Sequence, residues 1–94
     1  MSSKIAIYAG TFDPPTNGHL WMIQEAANIF DQLVVAICVN PDKKCLFDLK
    51  TRLAMIRDIS KGCQNVSVTS FENQFLVNYA RSKGFRFIVR GVRN

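Results

Sequence analysis

Ile5-Ala6-Ile7-Tyr8-Ala9-Gly10-Thr11-Phe12-Asp13-Pro14-Pro15-Thr16-Asn17-Gly18-His19-Leu20 is the stretch that decides the fold. Its first five residues form a short apolar run stopped by a glycine, the pattern of a buried strand meeting a turn. Pro14 and Pro15 forbid an early helix. From Asn17 or Gly18 onward, Leu20, Ile23, Ala26 or Ala27, and Phe30 recur at helical spacing to near Asp31. A helix that starts just after a glycine-bearing loop offers an anion its unpaired backbone N–H groups and the positive end of its dipole. Residues 10–19 are therefore expected to grip a nucleotide phosphate. Gly10 and Gly18 suit close backbone approach, and Thr11 supplies a hydroxyl. Asp13 is expected to cap the turn made with Pro14 and Pro15.

Working outward, Leu33-Val34-Val35-Ala36-Ile37-Cys38-Val39 is a continuous apolar run without polar alternation, as in a parallel strand covered on both faces, and Asn40-Pro41-Asp42 ends it. Asp48 or Thr51 caps a second helix whose stripe is Leu49, Leu53, Ile56 and Ile59, closing at Gly62. Val66–Thr69 reads as a third, shorter strand. Phe75, Leu76, Tyr79 and Ala80 mark a third helix ending at Gly84, and Phe87-Ile88-Val89 a fourth strand opening into Arg90-Gly91-Val92-Arg93. The order β-α-β-α-β-α-β predicts an α/β, Rossmann-like, doubly wound parallel sheet with right-handed crossovers, in a single domain over residues 1–94. The last strand has no helix after it to cover the sheet, so the fold expected here is incomplete and the chain is expected to be an amino-terminal portion or a shortened chain.

Composition narrows the class. With 48% apolar and 20% charged residues in 94, the chain is expected to be a soluble globular domain, and its longest apolar run, 33–39, is far below the ~20 residues of a membrane span. No secretory pattern opens it, which points to the cytoplasm. Cys38, Cys45 and Cys63 have neither paired spacing nor a histidine cluster, so neither disulfides nor a zinc site is expected. The net charge of +5 is scattered and lacks stacking aromatics, which favours acidic small molecules over nucleic acid. Trp21, Phe30, Phe47, Phe71, Phe85 and Phe87 are expected to pack, with Trp21 alternatively in a subunit interface.

Ligands of open parallel sheets bind beyond the carboxyl ends of the strands, near the reversal of strand order. Four clusters fall at such ends: 10–19, Asn40 to Lys44, Phe71 to Asn73, and Arg90 to Arg93. Thr16-x-Gly18-His19 after Gly10-Thr11-Phe12-Asp13-Pro14 resembles the signature of the cytidylyltransferase-like nucleotidyltransferase superfamily. With Asn-Pro-Asp-Lys-Lys at 40–44 and Arg90-Gly91-Val92-Arg93, the chain resembles, over essentially its whole length, the bacterial family of phosphopantetheine adenylyltransferases.

That resemblance implies transfer of the adenylyl group of ATP to 4′-phosphopantetheine, with Mg2+, in coenzyme A biosynthesis. It implies that Thr11 and His19 contact the α-phosphate, that Phe12 lies by the nucleotide through its backbone, and that His19 stabilises the transition state. Lys43 would hold both reacting phosphates and Arg90 the phosphopantetheine, while Gly91, Val92 and Arg93 line the ATP site. Leu76, or Phe75 given an apparent one-residue insertion near Glu72-Asn73, would lie by the pantetheine arm. No protein metal ligand is implied, and the assembly would be a homo-oligomer, a hexamer. The alternatives are the same chemistry on another phosphate acceptor, or a non-catalytic module that binds a nucleotide. That family's Ser/Thr-rich second ATP segment does not occur in these 94 residues.

Overall fold

A computed structural model of the chain describes residues 3–40, 42, 44–72 and 76–90. The elements alternate as β1 (Ile5–Gly10), α1 (Asn17–Ile29), β2 (Gln32–Val39), α2 (Leu49–Ile59), β3 (Val66–Glu72), α3 (Leu76–Lys83) and β4 (Phe87–Val89). All strand pairs are parallel and the spatial order is β3-β2-β1-β4. The expected Rossmann-like doubly wound sheet is therefore present.

The two faces of the sheet are covered as the apolar runs demand. Ala6, Tyr8, Leu33, Val35 and Ile37 turn to one face, where Ile23 and Ala26 of α1 and Ile56 of α2 meet them. Ile7 and Ala36 turn to the other, against Tyr79 and Ala80 of α3 and Phe71 of β3. Ile23 and Ile56 are fully buried, and each such side chain stabilises its helix's docking by about 1.5–3 kcal/mol, more than any helix propensity in these segments. Asn65, before β3, donates through Nδ2 to the Ala27 and Phe30 carbonyls at 2.8 and 3.2 Å and so satisfies the C-terminus of α1.

Three local expectations are corrected. The third strand runs to Glu72, because its pairing with β2 continues through Val39 opposite Glu72 and Phe71 stacks on Tyr79 with ring centroids 4.4 Å apart. Phe71 and Glu72 thus end a strand and do not begin a loop. The second helix stops at Ile59, three residues before Gly62, where the Ser60 hydroxyl donates to the Ile56 carbonyl at 2.6 Å. Trp21, expected to pack, is 58% exposed, since it lies on the outer side of α1. The third helix does end at Gly84, whose φ of +79° closes the turn with Phe85 N–H donating to the Ala80 carbonyl. Phe75 lies outside the described residues. Among the described residues no helix is long and apolar enough to cross a membrane.

Sheet order locates the site. The chain steps outward from β1 to β2 to β3, then crosses back to set β4 on the free side of β1. Strand order therefore reverses at β1 and β4, and the crevice beyond their carboxyl ends is where such sheets take ligands. Residues 10–19 begin there, and Arg90 follows the pair Tyr8–Val89 by one residue.

Candidate functional site

The loop from β1 to α1 is shaped by its own aromatic ring. Phe12 is 1% exposed and has a φ of +49°, a left-handed conformation uncommon for a bulky residue. Its ring packs edge-on against Tyr8 at 5.4 Å and against His19 at 4.8 Å. A Cβ on Gly10 would come within 3.2 Å of that ring, so glycine at position 10 makes room for Phe12. Gly18 is different: a Cβ there would meet only Thr16 Oγ1 at 3.5 Å, an ordinary contact. Burial desolvates the Tyr8 phenol and pushes its pKa above the ordinary 10.0.

At the start of α1, Thr16 and His19 cap each other. Thr16 Oγ1 accepts the His19 N–H at 3.3 Å, and His19 Nδ1 accepts the Thr16 N–H at 2.9 Å. This is a capping box with histidine in the place usually held by glutamate or glutamine. A ring nitrogen that accepts a backbone N–H carries no proton, so this hydrogen bond assigns the proton of the neutral imidazole to Nε2. The first helical bond runs from Leu20 N–H to Thr16 O at 3.0 Å, which leaves the amides of Asn17 and Gly18 without an intrahelical acceptor. The first turn contains no acidic residue, so no carboxylate of its own offsets the positive end of the helix dipole.

Asp13 does not cap its own turn. Its Oδ2 and Oδ1 accept the N–H groups of Leu46 and Phe47 at 2.7 and 2.8 Å, tying the loop after β2 to the loop after β1. Desolvation raises the Asp13 carboxyl's pKa, but the Phe47 and Leu46 amides, the Arg52 charge and a hydrogen bond with Cys45 outweigh it and hold the group below 3.8. Arg52 itself is 3% exposed. From the first turns of α2 its Nη1 donates to the Thr11 carbonyl at 3.0 Å. Asp48 caps α2 by accepting the Thr51 N–H at 2.8 Å, and hydrogen bonds from the Thr51 hydroxyl and amide hold its pKa low.

Of the expected site residues, Thr11 is exposed just after β1, Phe12 is buried, and His19 is partly buried in the first turn of α1. Arg90 is exposed at the end of β4, the strand paired with β1, and Leu76 opens α3 packed against the Phe71–Tyr79 cluster. Lys43, Gly91, Val92 and Arg93 lie outside the described residues.

Residues 7–94 match the family model described as cytidylyltransferase-like. The chain belongs to that family. It is 58% identical to a phosphopantetheine adenylyltransferase of Chromobacterium violaceum, over 96% of this chain and 55% of that protein. It is 54% identical to the protein of the same name from Neisseria meningitidis serogroup C, over 95% of this chain and 52% of that one. The chain thus spans about half the length of the curated relatives it matches. The solved nicotinic acid mononucleotide adenylyltransferase of Plasmodium falciparum, complexed with NaAD, superposes with a TM-score of 0.70 at 20% identity over 87% of this chain and 45% of that one, a likeness of fold.

Two features of the site escaped sequence reasoning. Arg52 shares the helical face of Leu49, Leu53 and Ile56, and an arginine set in an apolar stripe is a legible sign of a buried partner. Asp13 had no such sign, because the amides it binds are 33 and 34 residues away.

Proposed function

We propose that this chain carries the phosphate-gripping half of an adenylyl transfer from ATP to 4′-phosphopantetheine. The observation that carries the reading is the start of α1: a histidine-capped turn with no acidic residue, at the switch point of the sheet. The names of relatives 54–58% identical to it support the substrates.

In this reaction a phosphate oxygen of 4′-phosphopantetheine forms a bond to the α-phosphorus of ATP. The bond from that phosphorus to the β-phosphate's bridging oxygen breaks, and its electron pair leaves with pyrophosphate, giving dephospho-coenzyme A. The nucleophile is already an anion, so the protein supplies position and charge neutralisation and no covalent nucleophile. The amides of Asn17 and Gly18, the Thr11 hydroxyl and the Nε2–H of His19 are the donors offered to the α-phosphate, where negative charge grows. The bare Cα of Gly18 keeps that turn open to a phosphate. Arg90, one residue past β4, takes the acceptor's phosphate, Lys43 bridges the two reacting phosphates, and Gly91, Val92 and Arg93 line the ATP site. Leu76 contributes apolar surface to the pantetheine arm.

Among the described residues no three His, Cys, Asp or Glu side chains gather to hold a metal. Magnesium would be carried by the substrates' phosphate oxygens, a mode that asks for few protein ligands. The same reading includes self-association into a hexamer, for which Trp21 on the outside of α1 is an available contact.

The test is pyrophosphate release from ATP and magnesium with and without 4′-phosphopantetheine, with nicotinamide mononucleotide as a competing acceptor. Release that depends on 4′-phosphopantetheine supports the reading. Preference for the mononucleotide moves the acceptor, and absence of ATP binding by calorimetry overturns the site.

A further inference from the structure

Two charged groups, buried Arg52 and half-buried Asp13, tie the loop at 10–19 to the chain that follows β2. Arg52 reaches from α2 to the Thr11 carbonyl at 3.0 Å, and its Nε lies 3.4 Å from the Asp48 carbonyl. Asp13, two residues beyond Thr11, reaches the opposite way to the Leu46 and Phe47 amides. Each loop therefore holds a backbone group of the other's element, and the Arg52 charge acts on both Asp13 and Asp48. A charge that is 3% exposed is expensive to keep in the interior unless it is used. Nothing in the packing of α2 asks for it, since Leu49, Leu53, Ile56 and Ile59 already supply the apolar stripe.

We propose that Arg52 and Asp13 are positioning residues that act as one clasp, locking the loop of Thr11 to the loop at 44–47 so that the two strand ends face one nucleotide in a fixed relation. The functional part of this inference rests on residues 10–19 being the nucleotide site. The geometric part does not. By pinning the Thr11 carbonyl, Arg52 fixes the plane of the peptide that leads into Phe12, whose left-handed backbone and buried ring in turn support the His19 imidazole. By pinning the Leu46 and Phe47 amides, Asp13 sets the end of the segment that begins at Asn40.

The experiment compares Arg52→Met, Asp13→Asn and the double variant with the unaltered protein, by ATP calorimetry and by the backbone amide resonances of Thr11, Phe12, Leu46 and Phe47. Each single variant is expected to lower ATP affinity about tenfold, the double variant no further than the worse single, and Arg52→Lys to recover most of the loss, as for residues that work as a unit. Asp13→Asn is expected to move the Arg52 side-chain Nε–H resonance, followed in the same spectra, and Arg52→Met those of Leu46 and Phe47, with the resonances of α3 unmoved. Additive losses, or resonances that move only at the substituted loop, overturn the clasp. Should Arg52→Met fail to fold, Asp13→Asn decides alone: an unmoved Arg52 Nε–H resonance overturns the proposal. Should the unaltered protein bind no ATP, the nucleotide reading falls, and the cross-loop resonance shifts still confirm or refute the clasp.

Discussion

Replacing Thr16 with alanine separates the helix cap from the ring it aims. The substitution removes the Oγ1 that accepts the His19 N–H but keeps the Thr16 backbone N–H that binds His19 Nδ1. Loss of a threonine cap costs ~0.5–2 kcal/mol. The bond lost here is 3.3 Å long and exposed, beyond the usual ~2.9–3.0 Å, so the cost belongs in the lower half, at about 0.5–1 kcal/mol. For a domain of this size that lowers Tm by about 2–8 °C. Ile23 and Ala26 still dock α1, so the damage is confined to its first turn, which contains His19. Nucleotide affinity should therefore suffer more than stability, and Thr16→Ser should restore both. Urea denaturation and ATP calorimetry on the same samples make the comparison, and imidazole nitrogen shifts report whether the proton stays on Nε2. A Thr16→Ala protein that loses more than about 2 kcal/mol, or that keeps full ATP affinity, would refute this account of the cap.

Further expectations concern the same site. His19→Ala should lower kcat for pyrophosphate release by about 10²–10³ while changing ATP affinity far less, because the donor acts on charge that develops in the transition state; equal losses in both would argue for a mere binding contact. Phe12→Leu removes two edge-on ring contacts and should cost about 1–3 kcal/mol in urea denaturation, and a cost under about 0.5 kcal/mol would mean that the ring does not organise the loop. The Asp13 carboxyl, with a pKa held below 3.8 when folded, contributes stability that is complete above its unfolded value and drains away as pH falls through the folded one. The Leu46 and Phe47 amide resonances should hold to about pH 4 and shift below it, a transition that Asp13→Asn abolishes; shifts centred near neutrality would contradict the tether.

The order of strands and helices was legible in this sequence because each apolar run is either continuous, as two-sided burial of a parallel strand requires, or spaced at 3.6 residues. The late start of α1 and the end of α3 followed from the prolines and from Gly84, residues that act through local backbone geometry. The anion-binding promise of residues 10–19 was legible for the same reason, since the glycines, the helix start and the histidine are neighbours in the chain. Where strength came from pairing, local signals misled: β3 outran its apolar residues because β2 offered it partners as far as Val39. Only the tertiary structure decided that β4 crosses to the free side of β1, which puts Arg90 and Thr11 at the carboxyl ends of neighbouring strands. It alone decided that Gly10 serves the Phe12 ring and that Asp13 and Arg52 reach across to each other's loops. Contacts between residues more than 30 positions apart leave no periodic trace, because what selects them is the closing of the fold and not the conformation of any one segment.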